Sequence, residues 1–345
     1  MDESGPGGHS QRPAPGSRRP TLREVASAAG VSPMTASRAL ADPAKVRPET
    51  RERVLRAVES TGYVRDLVAG GLRTSRSHLV VCLLPTTSGP LFAPTVRSLT
   101  DTLEEQGYQL LLGEIGYHDS REDDLVRTVL GRRPDAVATI GLNRRSRSTQ
   151  ILRRSGIPVV EMWETSPDPI DMEVGVDHHA LGAAVCTYLV RRGHDRLMCF
   201  AGDDARATRR VEGFLRQAQQ LGVAEPAVVL TESPTSMGQG RVLLGRVADD
   251  GALPGAIFCS SDAMAHGCLT EARHRGLRVP NDVAIIGLGA LDFAAHTLPA
   301  LTTVRIDGRR IGHRAASMLA ARLSGHDVFD PVVDIGFDIV DGASS

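Results

Sequence analysis

At 345 residues the chain exceeds one ordinary domain and is long enough to bury a sizeable core, so a small module plus a larger unit is the natural expectation. Its 41% hydrophobic and 23% charged residues describe a globular protein, with aromatics at 3% leaving most core volume to aliphatic side chains. The formal net charge of −1 hides an asymmetry: residues 1–76 hold 13 Lys and Arg against 8 Asp and Glu, and the remainder 27 against 33, which suits a head that meets polyphosphate and a body that does not.

Residues 1–20 are rich in Gly, Pro and Ser and offer almost no apolar surface, which predicts a disordered arm; they lack the apolar stretch of a secretory leader. Three short helical patterns follow. Thr21 and Glu24 form a T-x-x-E capping box, with Leu22, Val25, Ala26 and Ala29 on one face before Gly30. Ser32 caps a second helix with Pro33 at its first position, running to about Leu40. A third starts near Pro48 and Glu49 and is expected to turn Val54, Leu55 and Val58 inward, with Tyr63 closing the small core.

From Leu79 onward strand-like runs (LVVCLL, YQLLLG, AVATIG, PVVEM, LMCFAG, AVVLT, AIFCS, VAIIG) alternate with amphipathic stretches. That alternation predicts α/β architecture with parallel sheets covered by helices, over a length sufficient for two lobes. The longest aliphatic run, Leu79 to Leu84, is far too short to span a bilayer. Cys82, Cys186, Cys199, Cys259 and Cys268 are odd in number and lack CxxC spacing, so neither a disulfide frame nor a zinc site is expected, and a reduced, cytoplasmic setting is the simplest reading.

The segment TLREVASAAGVSPMTASRALADP has the logic of a helix-turn-helix. Gly30 permits the tight turn, Val31 plugs the angle between the helices and Ser32 caps the second. With Ala36, Ala39 and Leu40 facing the core, Pro33, Met34, Ser37 and Arg38 share the opposite face, where a recognition helix touches base edges. An exposed Arg38 can chelate guanine O6 and N7, and Met34 can lie against a thymine methyl; the plainer alternative is a surface arginine on a structural cap.

This stretch resembles the head of the lactose-repressor (LacI/GalR) family, whose pattern T-L-x-D/E-V-A-x-x-A-G-V-S-x-x-T-x-S-R-x-L is matched almost throughout from Thr21 to Leu40. The resemblance extends to residue 342, through RVEGF at Arg210 to Phe214, SSDAMAHG at Ser260 to Gly267, GLRVPNDVAIIGLG and PALTTVR. It implies an N-terminal all-α helix-turn-helix domain at 21–65 with Thr21, Ser32, Pro33, Met34, Thr35, Ser37 and Arg38 at the DNA. A hinge at 66–76 would follow, in which paired helices enter the minor groove and Leu72 wedges a base step. Beyond lies a two-lobed periplasmic-binding-protein-like core at 77–345, with one lobe from 77–176 and 304–332 and the other from 177–303 and 333–345. Gly70-Gly71 departs from the usual hinge and weakens its helix by roughly 1 kcal/mol per glycine, so a hinge ordered only on DNA is expected, or a plain flexible linker.

In two-lobed α/β receptors ligands sit at the carboxyl ends of strands. The resemblance carries Ser88, Glu161, Arg210 and Asp262 over as effector residues. Ser261 stands where Asn is common, and Gly287-Leu288-Gly289-Ala290 replaces an acidic run, leaving Asp292 as the nearest acid. Plainer roles remain open: Asp177 and Asp262 as helix caps, Glu161 bonding backbone amides, Arg210 paired with Glu212. His178, His179 and His194 read as surface polar residues rather than metal ligands. The text VVEMWE, DMEVGVDHH and DIGFDI most resembles gluconate-operon repressors, which implies a sugar acid or its phosphate as effector, with Arg210 clamping the carboxylate.

The expectation is therefore a homodimeric repressor on a pseudo-palindromic double-stranded operator, without cofactor, metal, membrane anchor or catalysis. The alternatives are a sugar-binding receptor with no DNA role and a regulator using its ligand as corepressor. Neither G-x-x-x-x-G-K-[ST] nor a properly placed G-x-G-x-x-G supports an enzyme. A chain that stops at Ser345 without leucine heptads suggests a dimer rather than a tetramer.

Overall fold

The computed structural model describes residues 20–64, 76–117, 122–142 and 146–345, and the chain divides into two compact units, Met1–Ser75 and Arg76–Ser345. The predicted arm and hinge fall largely outside the described residues, Leu72 with them.

The first unit is three helices: α1 (Leu22–Ala28), α2 (Pro33–Ala41) and α3 (Pro48–Thr61). The Thr21–Glu24 capping box is present, and Gly30, at φ +62°, makes the turn into Ser32. Val25, Ala26, Ala29, Ala36, Ala39, Val54 and Ala57 form the core, with Val31, Leu40, Val58 and Tyr63 packed at its edge. Leu55, expected inside, is 41% exposed and Ala57 takes its place. At 100° per residue, positions 54, 57 and 58 share one face of α3 and position 55 lies off it.

The second unit contains two six-stranded sheets, ordered β11-β5-β4-β3-β1-β2 and β12-β10-β9-β8-β6-β7. The first lobe runs β1 (Leu79–Leu84), α4 (Ala93–Glu105), β2 (Gln109–Glu114), α5 (Glu122–Gly131), β3 (Ala136–Ile140), α6 (Arg147–Ser155), β4 (Val159–Met162) and β5 (Met172–Gly175). The chain then crosses into the second lobe. There it forms α7 (His178–Arg191), β6 (Leu197–Gly202), α8 (Ala205–Leu221), β7 (Ala227–Thr231), α9 (Met237–Asp249), β8 (Ala256–Cys259), α10 (Asp262–His274), β9 (Ala284–Leu288) and β10 (Thr302–Arg305). It returns through α11 (Gly308–Leu323), which packs on α4, to β11 (Val332–Asp334) in the first sheet, and ends with β12 (Asp338–Val340) in the second.

The described pairings are parallel except β10 with β12, which is antiparallel. The central strands β1, β3, β6, β8 and β9 are buried on both faces and accordingly read as unbroken aliphatic runs. The return crossings lie after Arg305 and after Asp334, two residues later than the sequence expectation in each case, because β10 pairs with β12 up to Arg305 and β11 with β5 up to Asp334. Among the described residues no helix is long and apolar enough to cross a membrane.

Two glycines fix the spacing of α7 against α8. A Cβ on Gly182 would lie 1.9 Å from the Arg210 carbonyl oxygen, and one on Gly213 would lie 2.0 Å from that of His179. No larger residue fits at either position, so the two backbones touch where α7 and α8 cross.

Candidate functional site

On α2 the exposed face presents Pro33, Met34 at 63% exposure and Arg38, with Thr35 and Ser37 half-buried beside them. Met34 and Arg38 lie one helical turn apart on the same side. The Ser32 hydroxyl accepts the Thr35 N–H at 3.1 Å and meets the Thr35 hydroxyl at 2.9 Å, which holds the first turn of the helix in shape. Thr21 performs the same service for α1, its N–H and hydroxyl donating to Glu24 Oε2 at 2.6 and 3.0 Å. An exposed, capped helix end bearing an arginine, a methionine and hydroxyls matches what base-edge reading requires.

In the second unit a cleft of ≈ 190 Å³ opens between the lobes. The first lobe contributes Ser88, Phe92, Tyr117 and Trp163; the second contributes His178, Asp204, Arg206, Arg210, Ser233, Thr235, Ser260 and Ser261. Each second-lobe group follows a strand or opens a helix. Asp177 caps α7, placing His178 at its first position; Asp204 caps α8, placing Arg206 and Arg210 on the same side of its first turns; Ser261 caps α10.

Arg206 and Arg210 are only 8% and 6% exposed. The Arg206 guanidinium lies 5.2 Å over the Phe92 ring of the opposite lobe and 3.8 Å from Asp204. Arg210 Nη1 donates to His178 Nδ1 at 3.3 Å. Burial, then the charges of Arg210, Arg206 and Arg209, hold His178 well below the usual histidine range, so its imidazole is neutral at physiological pH. Nδ1 acts as acceptor, which leaves the ring proton on Nε2. Burial also brings Arg210 down to about 10, still a cation at neutral pH. Three buried nitrogens here, Arg206 Nη1, Arg210 Nε and His178 Nε2, have no hydrogen-bond partner within the protein. Such donors are costly to bury alone and call for acceptors from water or a ligand in the cleft.

Of the effector residues expected from sequence, the cleft gathers Arg210 and Ser88. Arg210 does not pair with Glu212, whose carboxylate lies 3.7 Å from His179. Three others are elsewhere. Glu161 sits on β4 facing away from the cleft and accepts the Ile170 N–H at 2.6 Å, the backbone role left open above. Asp262 is fully buried behind the cleft, accepting the Leu291 N–H at 2.8 Å and the Thr303 hydroxyl at 2.5 Å, and so ties α10 to β10. Asp292 is exposed in a short 3-10 turn outside the cleft. His178, taken for a surface residue, is a cleft residue, because the first position of a helix that enters a new lobe points at the gap between lobes.

Sequence reasoning missed Arg206, Asp204 and Trp163. The first two carried a signal: an Asp cap followed by arginines four apart in D-A-R-A-T-R-R places both cations on one helical face. Trp163 carried none; its indole N–H donates to Thr95 Oγ1 at 3.1 Å and its ring meets Phe92 edge-on at 5.1 Å. Across the cleft Arg209 on α8 forms an ion pair with Glu164, next to Trp163. Among the described residues no group of three or more His, Cys, Asp or Glu is placed to hold a metal ion.

The model of the bacterial regulatory proteins, lacI family, matches residues 21–66, and that of a periplasmic binding protein-like domain matches residues 186–345. The chain is 35% identical over 325 residues to the HTH-type transcriptional regulator GntR of Pseudomonas aeruginosa, covering 93% of this chain and 94% of that one. It is 29% identical over 326 residues to IdnR of Escherichia coli, covering 94% and 98%. Among solved structures, a LacI-family transcriptional regulator from Silicibacter pomeroyi superposes with a TM-score of 0.88 at 27% identity, covering 94% of this chain and 98% of that one. The lac repressor dimer bound to operator and the anti-inducer ONPF shares the fold, with a TM-score of 0.81 at 20% identity over 95% and 99%. With a capped, exposed reading helix on one unit and a two-lobed cleft in the other, the chain belongs to the LacI family of bacterial regulatory proteins and is a DNA-binding transcriptional regulator.

Proposed function

We propose that the protein is a homodimeric repressor whose operator affinity is controlled by a sugar acid of the gluconate type bound between the lobes. The observation that carries this reading is the pair of buried arginines, each with an unpartnered N–H group, beside a neutral histidine, in a cleft also lined by Ser88, Ser233, Thr235, Ser260 and Ser261. Cations with open N–H groups suit a carboxylate, and hydroxyl side chains suit a polyol chain. The match to the GntR regulators and the resemblance to gluconate-operon repressors support the same ligand class.

In this reading each protomer lays Met34 and Arg38 into a major groove, two protomers read a pseudo-palindrome, and Leu72 enters the minor groove between them. Ligand held by both lobes favours their closed arrangement; if that arrangement separates the paired heads, operator affinity falls. Coupling of this kind is commonly worth about 1–3 kcal/mol, roughly 5–150-fold in affinity.

The test is to titrate gluconate against full-length protein while following thermal stability and binding to selected genomic duplexes, with light scattering for mass. The expected result is a raised melting temperature, a lowered affinity for one pseudo-palindromic fragment, and the mass of two chains. Failure to prefer any fragment over random duplex would remove the repressor. A gluconate-induced gain in DNA affinity would make the ligand a corepressor.

A further inference from the structure

The titratable side chains lining the cleft are Tyr117, His178, Asp204, Arg206 and Arg210. Burial pushes the Tyr117 phenol up and His178 down, so both are neutral near pH 7. Burial pushes Asp204 up, but Arg206, Arg210, the Ala207 N–H and the Ser233 hydroxyl outweigh it and hold the carboxyl below its ordinary value. The lining thus carries two cations and one anion. Among the described residues the charged groups beside the lining are already engaged: Arg209 is paired with Glu164, Asp203 accepts the Ser233 N–H, and Asp262 lies buried behind. No further Lys or Arg lines the cleft among the described residues.

We infer that Asp204 limits the effector to a single negative charge, so that the cleft accepts an aldonate and discriminates against its phosphorylated form. This rests on the sugar-acid reading and specifies it. One carboxylate on Arg206 and Arg210 completes the charge balance of the lining. A phosphate would add roughly 1.5 to 2 further negative charges near neutral pH, with Asp204 opposing them and no further lining cation among the described residues to receive them. Asp204 also organises the polyol end: it caps α8 through the Arg206 and Ala207 N–H groups, and the Ser233 hydroxyl donates to its second oxygen at 3.3 Å. The hydroxyls of Thr235 and Ser261, 2.7 Å apart, retain bonding capacity for a neutral polyol chain.

Asp204→Asn tests this, because asparagine is as good a helix cap as aspartate, so the charge goes while the cap stays and the Ser233 hydroxyl alone must find another acceptor; Asp204→Ser is a second uncharged cap should the first fold poorly. Calorimetry on the full chain would compare D-gluconate, 6-phospho-D-gluconate and D-glucose at pH 7.5. The wild type is expected to bind gluconate at least about tenfold more tightly than the phosphorylated acid, the scale of one unit-charge interaction in a partly screened site, and Asp204→Asn is expected to narrow that ratio by a similar factor. Equal or tighter binding of 6-phosphogluconate by the wild type, or a ratio unchanged by both substitutions, overturns the inference while leaving the sugar-acid reading intact. Binding of neither acid, or of glucose in preference to both, overturns that reading and the role of Asp204 with it.

Discussion

Glu164, just past the end of β4 in the first lobe, and Arg209, on the second turn of α8 in the other, form an ion pair that joins the lobes beside the cleft. The carboxylate side chain is 7% exposed and the guanidinium 29%. The pair sits between open water and the ligand-lining groups, where an ionic contact keeps part of its strength. It is a direct bond from one lobe to the other across the mouth of the cleft.

Glu164→Gln is expected to loosen that link between the lobes. Partial solvent screening limits the loss to about 1 kcal/mol, so the fold survives and gluconate affinity drops several-fold. Trp163, the chain's one tryptophan, lies next to the pair and lines the cleft, so its fluorescence during titration reads the change directly. Identical affinity and identical scattering profiles for the two proteins would mean the contact is idle.

His178 should make stability depend on pH in one direction. Its folded value is depressed, so below the ordinary histidine range the unfolded chain binds a proton that the folded chain refuses. Stability is therefore lost as pH falls through about 6.5 and is regained above it. Urea titrations between pH 5 and 8 should show this slope in the wild type and a shallower one in His178→Gln. Equal slopes would place the acid sensitivity on other groups.

Asp262→Ala removes acceptors for the part-buried Leu291 N–H and the buried Thr303 hydroxyl. A loss of about 2–4 kcal/mol in unfolding free energy is expected from two unpaired donors. The affinity of whatever protein folds should change by less than threefold, because the carboxylate does not reach the cleft. A selective collapse of gluconate binding at unchanged stability would return Asp262 to the ligand.

Arg38→Ala should relax base preference at one position in each half-site, costing about 1–3 kcal/mol on the best sequence and little on others. Selection from a randomised duplex library distinguishes this from a phosphate contact, whose loss weakens every sequence alike and lowers the salt slope by about one.

The three-helix head was legible because its signals are local: caps, a turn glycine and a 3.6-residue stripe each lie within a few residues. Leu55 failed for a local reason too, as a small Ala57 at the right angle was overlooked in favour of a large side chain at the wrong one. In the two-lobed unit, strands and their alternation with helices could be read directly, but which polar residue after a strand faces the cleft could not. Glu161 and Met162 are neighbours on opposite faces of β4, and neither lines the cleft, which Trp163, just beyond the strand end, does. Asp262 and Ser261 divide in the same way, one turned back toward β10 and the other toward the gap. The motif around Arg210 places that residue at the cleft, and the four-residue spacing on α8 puts Arg206 beside it.

The backbone contact at Gly182 and Gly213 has a consequence for how such a receptor can be retuned. With α7 and α8 locked in register, the imidazole of one and the guanidinium groups of the other form a fixed constellation that no sliding of either helix can widen or narrow. A descendant chain that came to prefer a different metabolite would have to exchange side chains within this rigid frame, and the first turns of α8 are where such exchanges would register most strongly.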